Sequence, residues 1–152
     1  MLPQEKIQQQ IQKLLELLGV RGTVAIEDRE GELVFNIKSE DSSLLIGQYG
    51  ATLFALQYLA RLLVKRSFLP QEEPSQFTID VENYRKDREE FLAELARQAA
   101  MRVRETKQRL VLKPMSSYER FVIHSHLSQN TDLITESIGE EPERRVVIRP
   151  KD

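Results

Sequence analysis

Apolar residues recur at helical spacing from the start of the chain: Ile7, Ile11, Leu14, Leu15 and Leu18 fall three or four positions apart. Pro3 suits a first helical turn and Gly19 stops the pattern, so an amphipathic helix is predicted. The period then changes to two. TVAIE (residues 23–27) and ELVFNIK (residues 32–38) are rich in β-branched and aromatic residues, with Leu33, Phe35 and Ile37 alternating toward one face around a turn at 28–31. This predicts a hairpin. Asp41 or Ser42 is placed to cap a short helix through Leu44, Leu45 and Ile46, which Gly47 breaks. A four-residue link ends at Gly50 and opens a longer helix over 51–68, whose predicted buried stripe is Leu53, Leu56, Leu59, Ala60 and Leu63. After a segment with two prolines, residues 77–81 alternate as a third strand, completing the order αββααβ.

The second half begins with a charged helical pattern over 84–110, read as the hinge between halves, with Leu92, Leu95, Ala96, Ala99 and Val103 on one face. VLKPM (residues 111–115) is a short strand or extended link. Ser116 or Ser117 caps a helix through YERFVIHSHL, with Glu119 placed for a capping box on Ser116. Two closing strands, near 132–137 and 144–148, flank a turn holding Gly139 and Pro142. The fold class is α+β in two domains, residues 1–82 and 83–152.

Composition narrows the chemistry. With 152 residues, 40% hydrophobic and 30% charged, the chain can bury one good core or two small ones. Twenty-two Lys and Arg against 24 Asp and Glu leave a net charge of -2, so any polyanion site must be a local patch. The absence of cysteine removes disulfides, thiolate metal sites and thiol nucleophiles. No stretch approaches the roughly 18 apolar residues of a membrane span, and the first residues lack the basic flank and apolar run of a signal peptide. A cytoplasmic location is expected.

The tetrapeptide Gly47, Gln48, Tyr49 and Gly50 joins two helices, so its backbone can turn tightly and aim first-turn amides at a phosphate. Two glycines three apart are weak by themselves and also suit a plain helix–helix turn. LLIGQYGATL within the order αββααβ resembles a KH domain of the bacterial, type II topology. That resemblance implies a loop, residues 47–50, that clamps the backbone of single-stranded nucleic acid, with Ile46 and Leu53 lining a groove for bases or simply filling the core. KH loops usually place Lys or Arg between the glycines, whereas Gln48 and Tyr49 stand here, which weakens phosphate attraction. Tyr49 either stacks on a base or is an exposed turn tyrosine. Arg61, Lys65 and Arg66 either extend a basic track or satisfy a helix C-terminus.

In the second half Arg120 and His124 lie four apart and share a helical face. The runs DVENYRKDRE, LKPMSSYERFVIH and TESIGEEPERRVVI resemble the domain named for its Arg-x-x-x-His signature, a small α/β binder of single-stranded nucleic acid. KH followed by this domain resembles the Jag family of bacterial RNA-binding proteins, also called SpoIIIJ-associated or KhpB/EloR-type. The resemblance implies Arg120 and His124 as nucleic-acid contacts, with Glu119 and Arg144 in support. It also implies a post-transcriptional regulator or RNA chaperone linked to cell-envelope growth. Functions assigned to the separate amino-terminal domain that many Jag proteins carry are not expected of these residues. Independently of that likeness, residues 97–113 hold six basic side chains, Arg97, Arg102, Arg104, Lys107, Arg109 and Lys113, against the single acid Glu105. Polyanion contact is expected through Arg97, Arg104 and Lys107, and a solvated helix face is the alternative.

An enzyme is the main rival class, because Glu119, His124 and His126 are capable of acid–base work. His124 and His126 are two apart on a helix and point in different directions, so no catalytic residue, metal or cofactor is assigned. The partner expected is single-stranded RNA, with single-stranded DNA as an alternative. The other reading is an adaptor that pairs with a small KH-domain protein or with itself, using apolar surface on the helix over 51–68.

Overall fold

The structure, a computed structural model, describes residues 1–152 and divides into two compact units, Met1–Arg85 and Lys86–Asp152. In the first, α1 (Pro3–Leu17) starts with Pro3 in its first turn, and the Glu5 carboxylate accepts from the Leu2 amide at 2.9 Å. Ile7, Ile11, Leu14 and Leu15 are buried, but Leu18 lies past the last helical turn and is exposed, leaving Val20 to complete the core. Strands β1 (Thr23–Arg29) and β2 (Glu32–Lys38) pair antiparallel, and β2 pairs in parallel with β3 (Thr78–Val81). Glu30 and Gly31, both at positive φ, make the two-residue turn whose twist suits a tight hairpin.

Between β2 and β3 lie α2 (Ser42–Ile46), a 3-10 turn over Gln48–Gly50 and α3 (Ala51–Ser67). The α2 cap differs from expectation: neither Asp41 nor Ser42 caps it through a side chain, and the Ser39 hydroxyl accepts from the Asp41 amide instead. The buried stripe of α3 is Leu53, Leu56, Gln57, Ala60 and Val64, so the expected Leu59 and Leu63 are corrected to exposed positions. Gln57 takes the place because its amide reads the edge of β3, donating to the Phe77 carbonyl at 2.9 Å and accepting from the Ile79 amide at 2.6 Å.

β2 is central and buried on both faces, not the one face its alternation suggests. Phe35 and Ile37 join Val24, Ile79, Val81 and the helices, and Phe35 meets Phe77 edge to face at 5.5 Å. Register puts polar groups together on the opposite face. Arg29 donates to the fully buried Asp80 at 2.7 Å, and Asn36 donates to Glu27 at 2.9 Å and to Asn83 at 3.0 Å. The Asn36 hydrogen bond, seconded by the Arg29 charge against an opposing effect of burial, holds the Glu27 carboxyl below its ordinary pKa.

The second unit is built on α4 (Tyr84–Thr106), whose first two residues belong to the first unit, α5 (Ser117–Leu127) and a sheet of β4 (Leu110–Val111), β5 (Leu133–Ile138) and β6 (Arg145–Pro150), in the order β4-β6-β5 and antiparallel throughout. Helix α4 stops at Thr106, short of 110, because Lys107 turns to positive φ and Leu110 and Val111 join β6. Its face of Leu92, Ala96, Ala99, Ala100 and Val103 packs with Leu112, Met115, Ile123, Leu127, Val146 and Ile148. No helix is long and apolar enough to cross a membrane.

Candidate nucleic-acid interface

Residues 47–50 are held as a tight turn. The Gly47 amide closes α2 on the Ser43 carbonyl at 3.0 Å, and its φ of +72° is in the left-handed region. A Cβ on Gly47 would stand 2.7 Å from the Thr52 Cβ, so only glycine lets the chain pass here. Gln48 is exposed, and Tyr49, half-buried, adopts φ +54°, uncommon for an aromatic residue. Gly50 is the N-cap of α3 and supplies no side-chain cap for its first turn. The Tyr84 ring flanks it, with Cε1 3.4 Å from where a Cβ would sit. Leu53 lies in the core and Ile46 is packed against it. Arg61 reaches the Phe77 carbonyl at 3.2 Å, while Lys65 and Arg66 are exposed in the last turn of α3.

The second unit contrasts with this glycine turn. The Ser116 hydroxyl accepts from the Glu119 amide at 3.2 Å, but the box does not close. The Glu119 carboxylate turns to Arg88, which donates to it at 2.6 and 3.3 Å. Arg120 is buried: Nη1 donates to the Met115 carbonyl at 2.8 Å and Nη2 to Glu141 at 2.7 Å. His124 is bracketed by two hydroxyls, Thr135 Oγ1 at 2.7 Å from Nδ1 and Ser137 Oγ at 2.9 Å from Nε2. Burial, and secondarily the Arg120 charge, lowers the His124 pKa below its ordinary value and keeps the ring neutral near pH 7. A neutral imidazole donates through one nitrogen and accepts at the other, and a rotating hydroxyl suits either.

The other expected cations, Lys107 apart, have local partners. Arg97 pairs with Glu94 on exposed helix surface. Arg104 grips Asp132 at 2.6 and 3.1 Å and Asn130 at 2.6 Å, and the Arg104 hydrogen bonds lower the Asp132 pKa against an opposing effect of burial. Lys107 is exposed beyond α4, and Arg144 donates to the Gly139 carbonyl at 2.6 Å. The structure thus brings Arg120 and His124 to one face of α5 above β5, while Arg97 pairs within α4 and Arg104 reaches from α4 to Asn130 and Asp132 ahead of β5. His126 is exposed on another side of α5, beside a cleft lined by Glu89, Phe121, Val122 and Ser125.

Sequence reasoning missed Thr135, Ser137, Glu141 and Tyr84 as companions of the site. Thr135 and Ser137 carried a usable signal, since residues two apart on a strand share a face. Glu141 carried none, being 21 positions from Arg120 in a turn with two other acids.

The family model for the Arg-x-x-x-His (R-three-H) domain matches residues 90–150. The chain is 36% identical over 150 residues to the protein named RNA-binding protein KhpB of Clostridium symbiosum, covering 97% of this chain and 66% of that one. It is 36% identical over 146 residues to the protein of the same name in Bacillus subtilis (strain 168), covering 93% and 67%. Against the Streptococcus pneumoniae protein of that name (strain D39), identity is 29% over 138 residues, covering 91% and 41%. The chain therefore spans about two thirds of the first two relatives and about two fifths of the third.

Proposed function

This chain belongs to the KhpB (Jag) family, and on that premise we propose that it binds single-stranded RNA through two modules and makes or breaks no bonds. The observation that carries the reading is a conjunction: a glycine-bounded turn at 47–50 in one unit and the Arg-x-x-x-His domain match in the other, in a chain whose relatives are named RNA-binding. The first unit is read as a type II KH domain. The order αββααβ, the antiparallel β1–β2 pair, the parallel β2–β3 pair and the glycine turn before α3 support this. In this reading Gly47, Gln48, Tyr49 and Gly50 carry the strand's backbone, and the uncharged Gln48 leaves contacts of backbone and stacking type in place of a lysine–phosphate pair. Arg120 and His124 form the second grip, with Arg97, Arg104, Lys107 and Arg144 supplying long-range attraction.

Support for a non-catalytic role comes from the partners of the acid–base candidates. Glu119 is bound to Arg88, and His126 projects to another side of α5 from His124. A post-transcriptional role in the cytoplasm, connected with envelope growth, is the family reading we extend to this chain. Two grips on one strand add avidity where both engage. Titration of the whole chain with labelled mixed-sequence single-stranded RNA tests the reading. The logarithm of the affinity is expected to fall with the logarithm of salt at a slope of about -0.7 per phosphate contact. Gln48→Asp, at an exposed position, is expected to weaken binding about threefold to tenfold through repulsion at the loop. Absence of binding in dilute buffer overturns it.

A second reading has its own observation. Phe54, Tyr58, Leu59, Leu62 and Leu63 form an exposed apolar face on α3, of a kind suited to pairing with another KH-domain protein or a second copy. Both roles are compatible, since none of these five residues belongs to the turn at 47–50.

A further inference from the structure

Glu141 lies in the turn between β5 and β6, and its carboxylate accepts from Arg120 Nη2 at 2.7 Å. The partners differ in exposure. The Arg120 side chain is 8% exposed and that of Glu141 59%. Arg120 has a separate anchor, because Nη1 donates to the Met115 carbonyl and fixes the guanidinium plane without Glu141. The carboxylate can therefore swing into water about its own torsions while the guanidinium stays in position. To a guanidinium, carboxylate and phosphate present similar anionic oxygens for charge-assisted hydrogen bonds. Glu140 and Glu143 share the turn, yet Glu141 is the one bonded to Arg120, and Glu143 faces Arg145 at 3.6 Å.

We propose that Glu141 is an internal stand-in for an RNA phosphate, occupying Arg120 in the free protein and displaced by the strand that binds there. The inference rests on the reading of Arg120 as an RNA contact. Displacement makes Glu141 a determinant of selectivity: a ligand that brings no anionic oxygen to Arg120 cannot replace what it removes, so weak or neutral ligands are rejected. Wild-type affinity is reduced by the fraction of molecules in which the carboxylate is in place.

The test uses the full chain and a fluorescein-labelled mixed-sequence single-stranded RNA at fixed low salt. Glu141→Gln keeps the shape and an acceptor for Nη2 but removes the charge, and is expected to tighten binding about threefold to tenfold. Glu140→Gln controls for general charge and is expected to leave affinity within twofold. In an Arg120→Lys background the gain from Glu141→Gln is expected to shrink, since the paired site has changed. Unchanged or weakened binding by Glu141→Gln overturns the proposal and makes Glu141 a structural support of Arg120. Equal tightening by Glu140→Gln overturns it in favour of bulk charge. If wild type binds but Arg120→Lys leaves both affinity and the Glu141→Gln gain intact, the assignment of Arg120 fails and the proposal with it. If no form binds, the RNA-binding reading itself fails and removes the proposal's premise.

Discussion

The glycine turn of the first unit and the Arg120–His124 face of the second, the two sites proposed, are built of opposite materials. One is a glycine-bounded turn, held tight because a side chain at Gly47 would run into Thr52. The other is a pair of polar side chains already bonded within the protein, Arg120 to Met115 and Glu141 and His124 to Thr135 and Ser137. A turn of this kind takes its shape from steric exclusion. One of paired side chains is held in position by its own partners, and any ligand has to compete with them.

The contrast can be broken first at Gly47. Gly47→Ala adds a methyl group into Thr52 at a left-handed φ and is expected to destabilise the first unit by about 2–4 kcal/mol, read by urea unfolding. A value near zero would mean the turn relaxes freely and its shape is not sterically fixed. Next, Arg120→Ala leaves the Met115 carbonyl without its partner and a gap in packed surroundings, at an expected cost of about 2–3 kcal/mol in the second unit. Chemical denaturation that left stability intact would turn Arg120 into a detachable surface contact and dissolve the contrast.

The smallest effect concerns pH. Both histidines, His124 and His126, are in the second half of the sequence. The lowered His124 pKa means the unfolded chain takes up the proton first as pH falls. The neutral ring's contribution is fully present above the unfolded value of about 6.5 and is lost as pH drops through the folded value. Thermal melts from pH 7.5 to 5.5 should therefore show the second unit weakening, and His124→Gln should flatten that slope. A flat wild-type profile would contradict the neutral, half-buried ring.

Much of the fold was legible because the pattern and the local chemistry agree, as in α1, the hairpin and the stripe of α4. On α3 it placed Leu53, Leu56 and Ala60 but not the edge of the stripe, because apolar residues surround most of the helix and give no phase. The deciding residue, Gln57, is polar and buried for its hydrogen bonds to β3. The capping box of α5 failed by half because a distant cation, Arg88, outcompeted the local amide for Glu119. The glycine turn was readable as geometry. The enclosure of Arg120 was not, since arginine is an outside residue by habit and its partners come from a separate turn.

The polar face of the first sheet governs where the chain can be cut. Asp80 accepts from the Arg85 amide at 2.9 Å, and Arg85 Nε donates to the Ile79 carbonyl at 2.8 Å, so the opening turn of α4 acts as a clasp on β3. A recombinant fragment that stops at Glu82 would discard Asn83 and Arg85 and leave a buried carboxylate short of donors. Excision after the opening turn of α4 retains the clasp, and its products are the ones suited to weighing each half's affinity alone.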